Sequence, residues 1–308
     1  AYEIYQCDWS SDVCSSDLER DLLPDCVRHL YDIGVDEVVV RDAGSTDGSL
    51  DWAQAHQGPR LRLAPVGEDE KTQPAIWHAR EREIAEITGA DWVLHLDADE
   101  FWLPATGRLR DSAQWQDEAL DLIQVPRYNV ALGQGGLDLP WPPTPAVYER
   151  LWLFARPIPE FRQHLETHPL TPWITGVPVP KIAVRPRHLG SLALGCHDAQ
   201  GRPGQPFARA VSQDIVTAHL PFSHYPCFAR KVANIRALFA AYPERFPPGT
   251  AWHWRRWAVL EGEAALQAEF ALQQLAAPEW AELQASGALQ SGRQLLDRQG
   301  LNGPGAKV

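Results

Sequence analysis

One stretch, WVLHLDADEFW from Trp92 to Trp102, constrains this chain more than any other. Its first half, Trp92-Val93-Leu94-His95-Leu96, has the length and apolarity of a strand buried on both faces, and it runs directly into Asp97, Asp99 and Glu100. Strands of that kind belong to sheets covered by helices, where ligands bind in the crevice at the strands' carboxyl ends. Aspartates at i and i+2 of a strand-to-loop turn can aim at one hard cation such as Mg2+ or Mn2+, which in turn can grip a diphosphate. A solvated turn or a helix cap is an equal alternative for such acids. A calcium loop fits less well, because Phe101 and Trp102 stand where that loop needs a ligand and a glycine.

The neighbouring segments supply the alternation such a sheet needs. Leu22, Leu23, Cys26, Val27, Leu30 and Ile33 fall at helical spacing with Gly34 placed as a cap, and Val38-Val39-Val40 predicts a strand over 37–41. The polar loop DAGSTDGS, 42–49, then opens a second helix, which is α/β grammar. It lacks the spacing of a dinucleotide or P-loop fingerprint, so Asp42 at the strand's end, as an acceptor for a nucleobase or ribose, is the functional candidate there. Helix is predicted over 75–88, strand over 120–125 up to Pro126, strand over 181–184, then an apolar run ending at His197. A helix follows Pro226, another spans 252–275, and the remainder reads as a frayed terminus.

Three further features carry two readings each. Residues 133–147 form a long Gly/Pro-rich loop of the kind that covers sites, and Trp141, Tyr148 and Trp152 around it either stack on a sugar ring or pin the loop to the core. Arg80 and Arg82 lie on the 75–88 helix, where a solvated face or an ion pair with Glu81 or Glu83 is the plain alternative. His219, His224 and Cys227 lack a fourth ligand at any familiar structural-zinc spacing.

Composition excludes some classes. The net charge of −12 argues against nucleic-acid binding by bulk electrostatics, and no run of eighteen apolar residues predicts a membrane span. No methionine occurs, position 1 included, as expected of a frame that does not begin at its own start codon. Asp8 to Leu18 resembles the translation of a short-read sequencing adapter, and Ala1 to Ile4 fits the upstream part of the same oligonucleotide, so residues 1–18 are set outside the expected fold. Without them, Cys26, Cys196 and Cys227 remain, an odd and scattered trio that suits a reducing, cytoplasmic setting rather than a disulfide framework.

RDAGSTDGS at 41–49, HLDADEF at 95–101, PKIAVRP at 180–186 with His197 after it, and HYPCFARK at 224–231 stand in an order that resembles the bacterial family-2 glycosyltransferases. They resemble in particular the branch whose acid motif continues as Asp-x-Asp-Glu-Phe. The resemblance implies an α/β fold of GT-A type, a mostly parallel nucleotide-binding sheet flanked by helices, over 19–245, with a C-terminal helical extension over 246–308. It implies transfer of a sugar from a nucleotide-diphosphate sugar to a glycan or other hydroxyl acceptor, with inversion, assisted by Mn2+ or Mg2+. By motif position Asp42, Arg80, Asp97 and Lys181 would bind the donor, while Asp97, Asp99 and His197, or alternatively His224, would hold the metal. The base that takes the acceptor proton has no motif, and Asp138, Glu149 and Glu160 are its candidates. The family's first strand is central and precedes Glu19, so it would be missing here unless Tyr2 to Tyr5 imitates it. A GT-A domain that binds a nucleotide sugar or glycan without turnover is the alternative, and hydrolysis by paired carboxylates is disfavoured because Asp97 and Asp99 stand too close in sequence.

Overall fold

Every residue of the Trp92–Leu96 run is buried, and a seven-stranded sheet is built around it. The structure, a computed structural model, describes residues 2–6, 21–42, 45, 47–72, 74–137, 139–241 and 252–301. The strands in chain order are β1 (Tyr2–Gln6), β2 (Glu37–Asp42), β3 (Leu61–Pro65), β4 (Trp92–Leu96), β5 (Glu100–Pro104), β6 (Leu122–Val125), β7 (Arg127–Asn129) and β8 (Trp152–Phe154). They continue as β9 (Lys181–Val184), β10 (Leu189–Leu192), β11 (Ala199–Gly201), β12 (Arg209–Val211), β13 (Ile215–His219) and β14 (Leu289–Ser291). The main sheet runs β12-β6-β9-β4-β1-β2-β3. Its β3, β2, β1 and β4 are parallel neighbours, and β9 runs antiparallel between β4 and β6.

Alternate residues of these strands feed two different cores. Val38, Val40, Trp92, Leu94, Leu96, Ile123, Val125 and Ala183 join the larger one, and Val39, Val93, Leu122, Ile182 and Val184 the smaller. That two-sided burial is why the strands read as unbroken apolar runs instead of alternating ones. Helices α1 (Leu23–Asp32), α2 (Ser49–Ala55), α3 (Glu68–Thr72), α4 (Pro74–Thr88), α5 (Ala113–Gln116), α6 (Phe161–Thr167) and α7 (Tyr225–Ala241) accompany the sheet. The C-terminal part holds α8 (Trp252–Ala258), α9 (Gly262–Leu272), α10 (Ala277–Ala285) and α11 (Gly292–Leu301).

Tyr2–Gln6 forms β1, an interior strand of the sheet, with Ile4 in register with Val38 on one side and Leu94 on the other, which is the alternative left open for this segment. Two expectations are corrected. The helix expected over 252–275 is two helices: Gly262 takes φ +77, and the Arg236 guanidinium draws the carbonyls of Ala258 and Leu260 away from a continuing ladder. The segment read as a frayed end contains β14, which pairs antiparallel with β8, and α11, whose Leu295 and Leu296 are buried. In addition, Cys196 is disulfide-bonded, whereas Cys26 and Cys227 are buried free thiols.

Two strands of the main sheet continue past short breaks into a second, three-stranded sheet, β5-β13-β7. The first break is the Asp97–Asp99 turn, closed by a bond from the Glu100 N–H to the Asp97 carbonyl (3.0 Å), and the second is Pro126. Residue pairing then places Glu100 opposite His219 and His219 beside Asn129, one row across the small sheet.

Candidate metal centre

That row is where the polar side chains converge. Asp99 Oδ2 lies 3.6 Å from His219 Nε2 and 3.5 Å from Lys231 Nζ on α7. Lys181, the first residue of β9, places Nζ 2.8 Å from Asp97 Oδ2 and 3.2 Å from Glu100 Oε2, and Arg127 of β7 forms a further ion pair with Glu100. Glu100 Oε2 also accepts the Asp97 backbone N–H at 2.9 Å. All of these groups are buried, Glu100 and Lys181 completely. Three carboxylates, Asp97, Asp99 and Glu100, thus face three cations, Arg127, Lys181 and Lys231, inside one desolvated cluster.

The environment sorts their protonation. Burial pushes the Asp97 carboxyl up to about 7 against the opposing pull of Lys181. Burial would also raise Glu100, but the charges of Lys181 and Arg127 hold it below the usual carboxylate range. Lys181 loses solvation too, yet Asp97 and Glu100 keep its ammonium above the ordinary lysine value. Burial drives His219 the other way, toward the neutral ring, against the attraction of Asp99.

A neutral His219 has a defined tautomer. The Asn129 amide nitrogen donates to the carbonyls of Ile174 (2.9 Å) and Gly176 (3.4 Å), which turns its oxygen toward His219 Nδ1 at 2.7 Å. An amide oxygen only accepts, so His219 carries its proton on Nδ1 and presents the Nε2 lone pair toward Asp99. A separation of 3.6 Å exceeds a hydrogen bond, and it matches two ligands that each stand about 2.1 Å from one ion, roughly 3.0–3.6 Å apart. Among the described residues, Asp99, Glu100 and His219 are the His/Cys/Asp/Glu group whose ligand atoms cluster within 4.8 Å. The donor set fits a divalent cation, with Asp99 and His219 as ligands and Glu100 beside them, already engaged by Arg127 and Lys181.

The residues singled out in the sequence distribute as follows. Asp42 ends β2 at the same sheet edge as Asp97. Val38 and Leu94 share a register row through Ile4, which puts Asp42 and Asp97 within one residue of the same level, two strands apart. Both Asp42 carboxylate oxygens are engaged by Ser45, through its N–H (3.0 Å) and its hydroxyl. Lys181, read as a donor-binding residue, is fully buried on Asp97 and Glu100. Arg80 pairs with Glu83 one turn along its exposed helix face (2.9 Å), whereas Arg82 donates to the Gly190 carbonyl (3.0 Å). The histidine grouped with Asp99 is His219: His197 Nδ1 meets the Pro180 carbonyl at 2.9 Å, and half-exposed His224 stands 3.9 Å from Asp21. Glu149 is exposed in a turn, Glu160 lines a cleft beside α6, and Asp138 lies outside the described residues. Arg127 and Asn129 belong to no pattern noted in the sequence, Lys231 closes the HYPCFARK stretch with no role read for it there, and Ile215-Val216-Thr217-Ala218-His219 repeats the grammar of an apolar strand ending in a ligand.

Among solved structures, glucosyl-3-phosphoglycerate synthase from Mycobacterium tuberculosis in complex with Mn2+, uridine diphosphate and glucosyl-3-phosphoglycerate is similar at 16% identity. The match covers 79% of each chain with a TM-score of 0.34. The same enzyme with uridine diphosphate matches at 18% identity over 79% of each chain with a TM-score of 0.32. A further mycobacterial protein matches at 15% over 79% and 75% of the two chains, also at 0.32. Comparison with curated protein sequences gives no match. The model of glycosyl transferase family 2 matches residues 18–174, more than half of the chain, and the acid-ended strand of a mostly parallel, helix-flanked sheet falls within that match. The chain therefore has the GT-A fold and belongs to glycosyl transferase family 2.

Proposed function

We propose that this protein transfers a sugar from a nucleotide-diphosphate sugar to a hydroxyl of a glycan or other acceptor, with Mn2+ or Mg2+ held by Asp99 and His219. The observation that carries this is the neutral His219 whose Nε2 faces the Asp99 carboxylate at 3.6 Å. When bound, the cation supplies Lewis-acid neutralisation of the leaving nucleoside diphosphate.

The protein's own groups divide the remaining work. Asp97 Oδ1 is buried without a hydrogen-bond partner, and a donor hydroxyl at the sheet edge would satisfy it. Asp42, at the same level of that edge, meets the nucleoside end. Lys181 is a positioning residue that holds Asp97 and Glu100 in place. With Asp97 ionised the three carboxylates and three cations balance, so a divalent ion adds charge that an anionic diphosphate offsets, and the two bind together better than either alone.

For the acceptor proton we assign Glu160. It lines a cleft of about 470 Å³ with Val177 and Trp252, and it holds a left-handed backbone (φ +46) that is costly for a side-chain-bearing residue. Gly176, next to Val177, accepts from the same Asn129 that fixes His219, which ties this cleft to the metal centre. A base on the far side of the sugar from the leaving group gives inversion.

Calorimetry of UDP, GDP, ADP and dTDP with the full chain, with and without Mn2+, tests the assignment. At least one nucleotide is expected to bind at least tenfold more tightly with the ion present. Equal affinities with and without Mn2+ for all four would overturn the metal role, and no binding of any would overturn the transferase reading.

A further inference from the structure

We infer that the cavity between the glycine-rich turn at 133–136 and the start of α10 is a saccharide-binding subsite on the acceptor side; this rests on the transferase reading above. The cavity measures about 560 Å³, within the range of small-molecule sites. Gly133, Gln134, Arg150, Trp152, Leu275 and Trp280 line it. Both tryptophans are half-buried and come from distant parts of the chain, Trp152 from the first position of β8 and Trp280 from α10.

The walls are tied together. The Leu275 N–H donates to the Leu132 carbonyl at 2.8 Å, Gly133 and Leu275 form a parallel bridge, and β8 pairs with β14, Trp152 opposite Ser291. A Cβ on Gly133 would stand 3.9 Å from the Trp280 ring, in ordinary contact, so the turn packs closely over that indole. The binding surface is therefore formed before any ligand arrives.

Its chemistry is amphipathic. A pyranose ring presents an apolar C–H face and a rim of hydroxyls; the indoles match the face, and the Arg150 guanidinium and Gln134 amide match the rim. Among the described lining residues Arg150 is the single charged group, too little to offset a diphosphate, and the other linings suit an uncharged ring. Gly133 is four residues beyond Asn129, at most about 14 Å of chain, so an oligosaccharide seated here extends toward the metal centre.

Saturation-transfer NMR on the full chain, without metal or nucleotide, tests this with the methyl α- and β-glycosides of glucose, galactose, mannose and N-acetylglucosamine. At least one glycoside is expected to receive saturation on its ring protons, and Trp280→Ala and Trp152→Ala each reduce that signal at least tenfold. Trp280→Phe retains most of it. Gly135 has open space beyond its Cβ position and no left-handed φ, so Gly135→Leu folds with an unchanged melting temperature and lowers binding by crowding the cavity. Absence of transfer to every glycoside in the wild type, or a signal that survives both Trp280→Ala and Gly135→Leu, would overturn the subsite. Mn2+-dependent nucleotide affinity, measured on the same samples, separates the two claims. If nucleotide binds and glycosides do not, only the subsite fails; if glycosides bind and nucleotide does not, the transferase reading fails and a saccharide site stands.

Discussion

His219 gives its Nδ1 proton to the side-chain oxygen of Asn129 across 2.7 Å, and Asn129 is itself held by two backbone carbonyls. The direction of the histidine's Nε2 lone pair is thus set by a residue that would not itself touch the ion. Asn129→Ala is expected to weaken Mn2+ binding about 10- to 100-fold, the usual cost of losing such an outer partner, while the melting temperature moves by a few degrees at most. Electron paramagnetic resonance of free Mn2+ gives the affinity directly. Wild-type affinity in the variant would show that His219 needs no such support.

Removing a ligand is more severe than removing its support. Asp99→Ala and His219→Ala are each expected to lose Mn2+-dependent nucleotide binding beyond the loss seen for Asn129→Ala, with His197→Ala and His224→Ala close to wild type. Calorimetry with Mn2+ and the best nucleotide distinguishes them, and a large effect confined to His197→Ala would move the centre to the Pro180 side of the sheet.

Lys181→Met leaves Asp97 and Glu100 buried beside one another with Arg127 as the remaining close cation on Glu100. Breaking a buried pair by removing one partner costs about 3–5 kcal/mol, and urea unfolding of the metal-free protein is expected to show a loss of that order. A loss below about 1 kcal/mol would mean that Asp97 sheds its charge at little cost once the lysine is gone.

Asp97 provides a pH signature. Its folded pKa, pushed by burial up to about 7, lies above the ordinary aspartate value near 3.9, so the native state binds more protons between those limits. Its contribution to stability is fully present below about pH 4 and is lost as pH rises through 7. Relative to Asp97→Asn, metal-free wild type should therefore lose melting temperature steadily from pH 4 to 7.5 and level off above. The opposite slope in scanning calorimetry would mean that Lys181 keeps Asp97 ionised throughout.

Glu160 should separate stability from activity. Glu160→Gly removes the side chain from a left-handed position and is expected to stabilise the fold by up to ~1 kcal/mol while abolishing transfer. Glu160→Gln should lose turnover with little change in Mn2+-dependent nucleotide affinity. Turnover within threefold of wild type in Glu160→Gln would remove it as the base.

Much of the sheet was legible in the sequence because its signals are local. β-branched Val38-Val39-Val40, the Trp92–Leu96 run and Lys181–Val184 became strands near the expected positions, and α1, α4 and α7 followed their apolar spacing or composition. The site was legible where the chain doubles back on itself within a few residues and, through motif likeness alone, at Lys181. Asp97, Asp99 and Glu100 are neighbours in sequence, but Arg127, Asn129, Lys181, His219 and Lys231 reach them through pairings between distant strands and a packed helix. No periodicity reports those. Trp141 and Tyr148 show the same limit: Tyr148 is fully buried and Trp141 packs edge-on against Phe101 at 4.5 Å, so of the three loop-region aromatics only Trp152 faces a described cavity.

The single row of Glu100, His219 and Asn129 across β5, β13 and β7 has a consequence for how this protein tolerates change in length. Side chains alternate between the two faces of a strand, so moving β13 by one position would swing the imidazole to the opposite face and bring Ala218 into its place. Hydrophobic burial would be partly preserved in such a slipped form, since Val216 and Ala218 are as deeply buried as Ile215. A deletion within 215–219 would thus leave a folded but ion-blind protein, whereas one in the exposed turn at 202–206 would be absorbed before it reached the row.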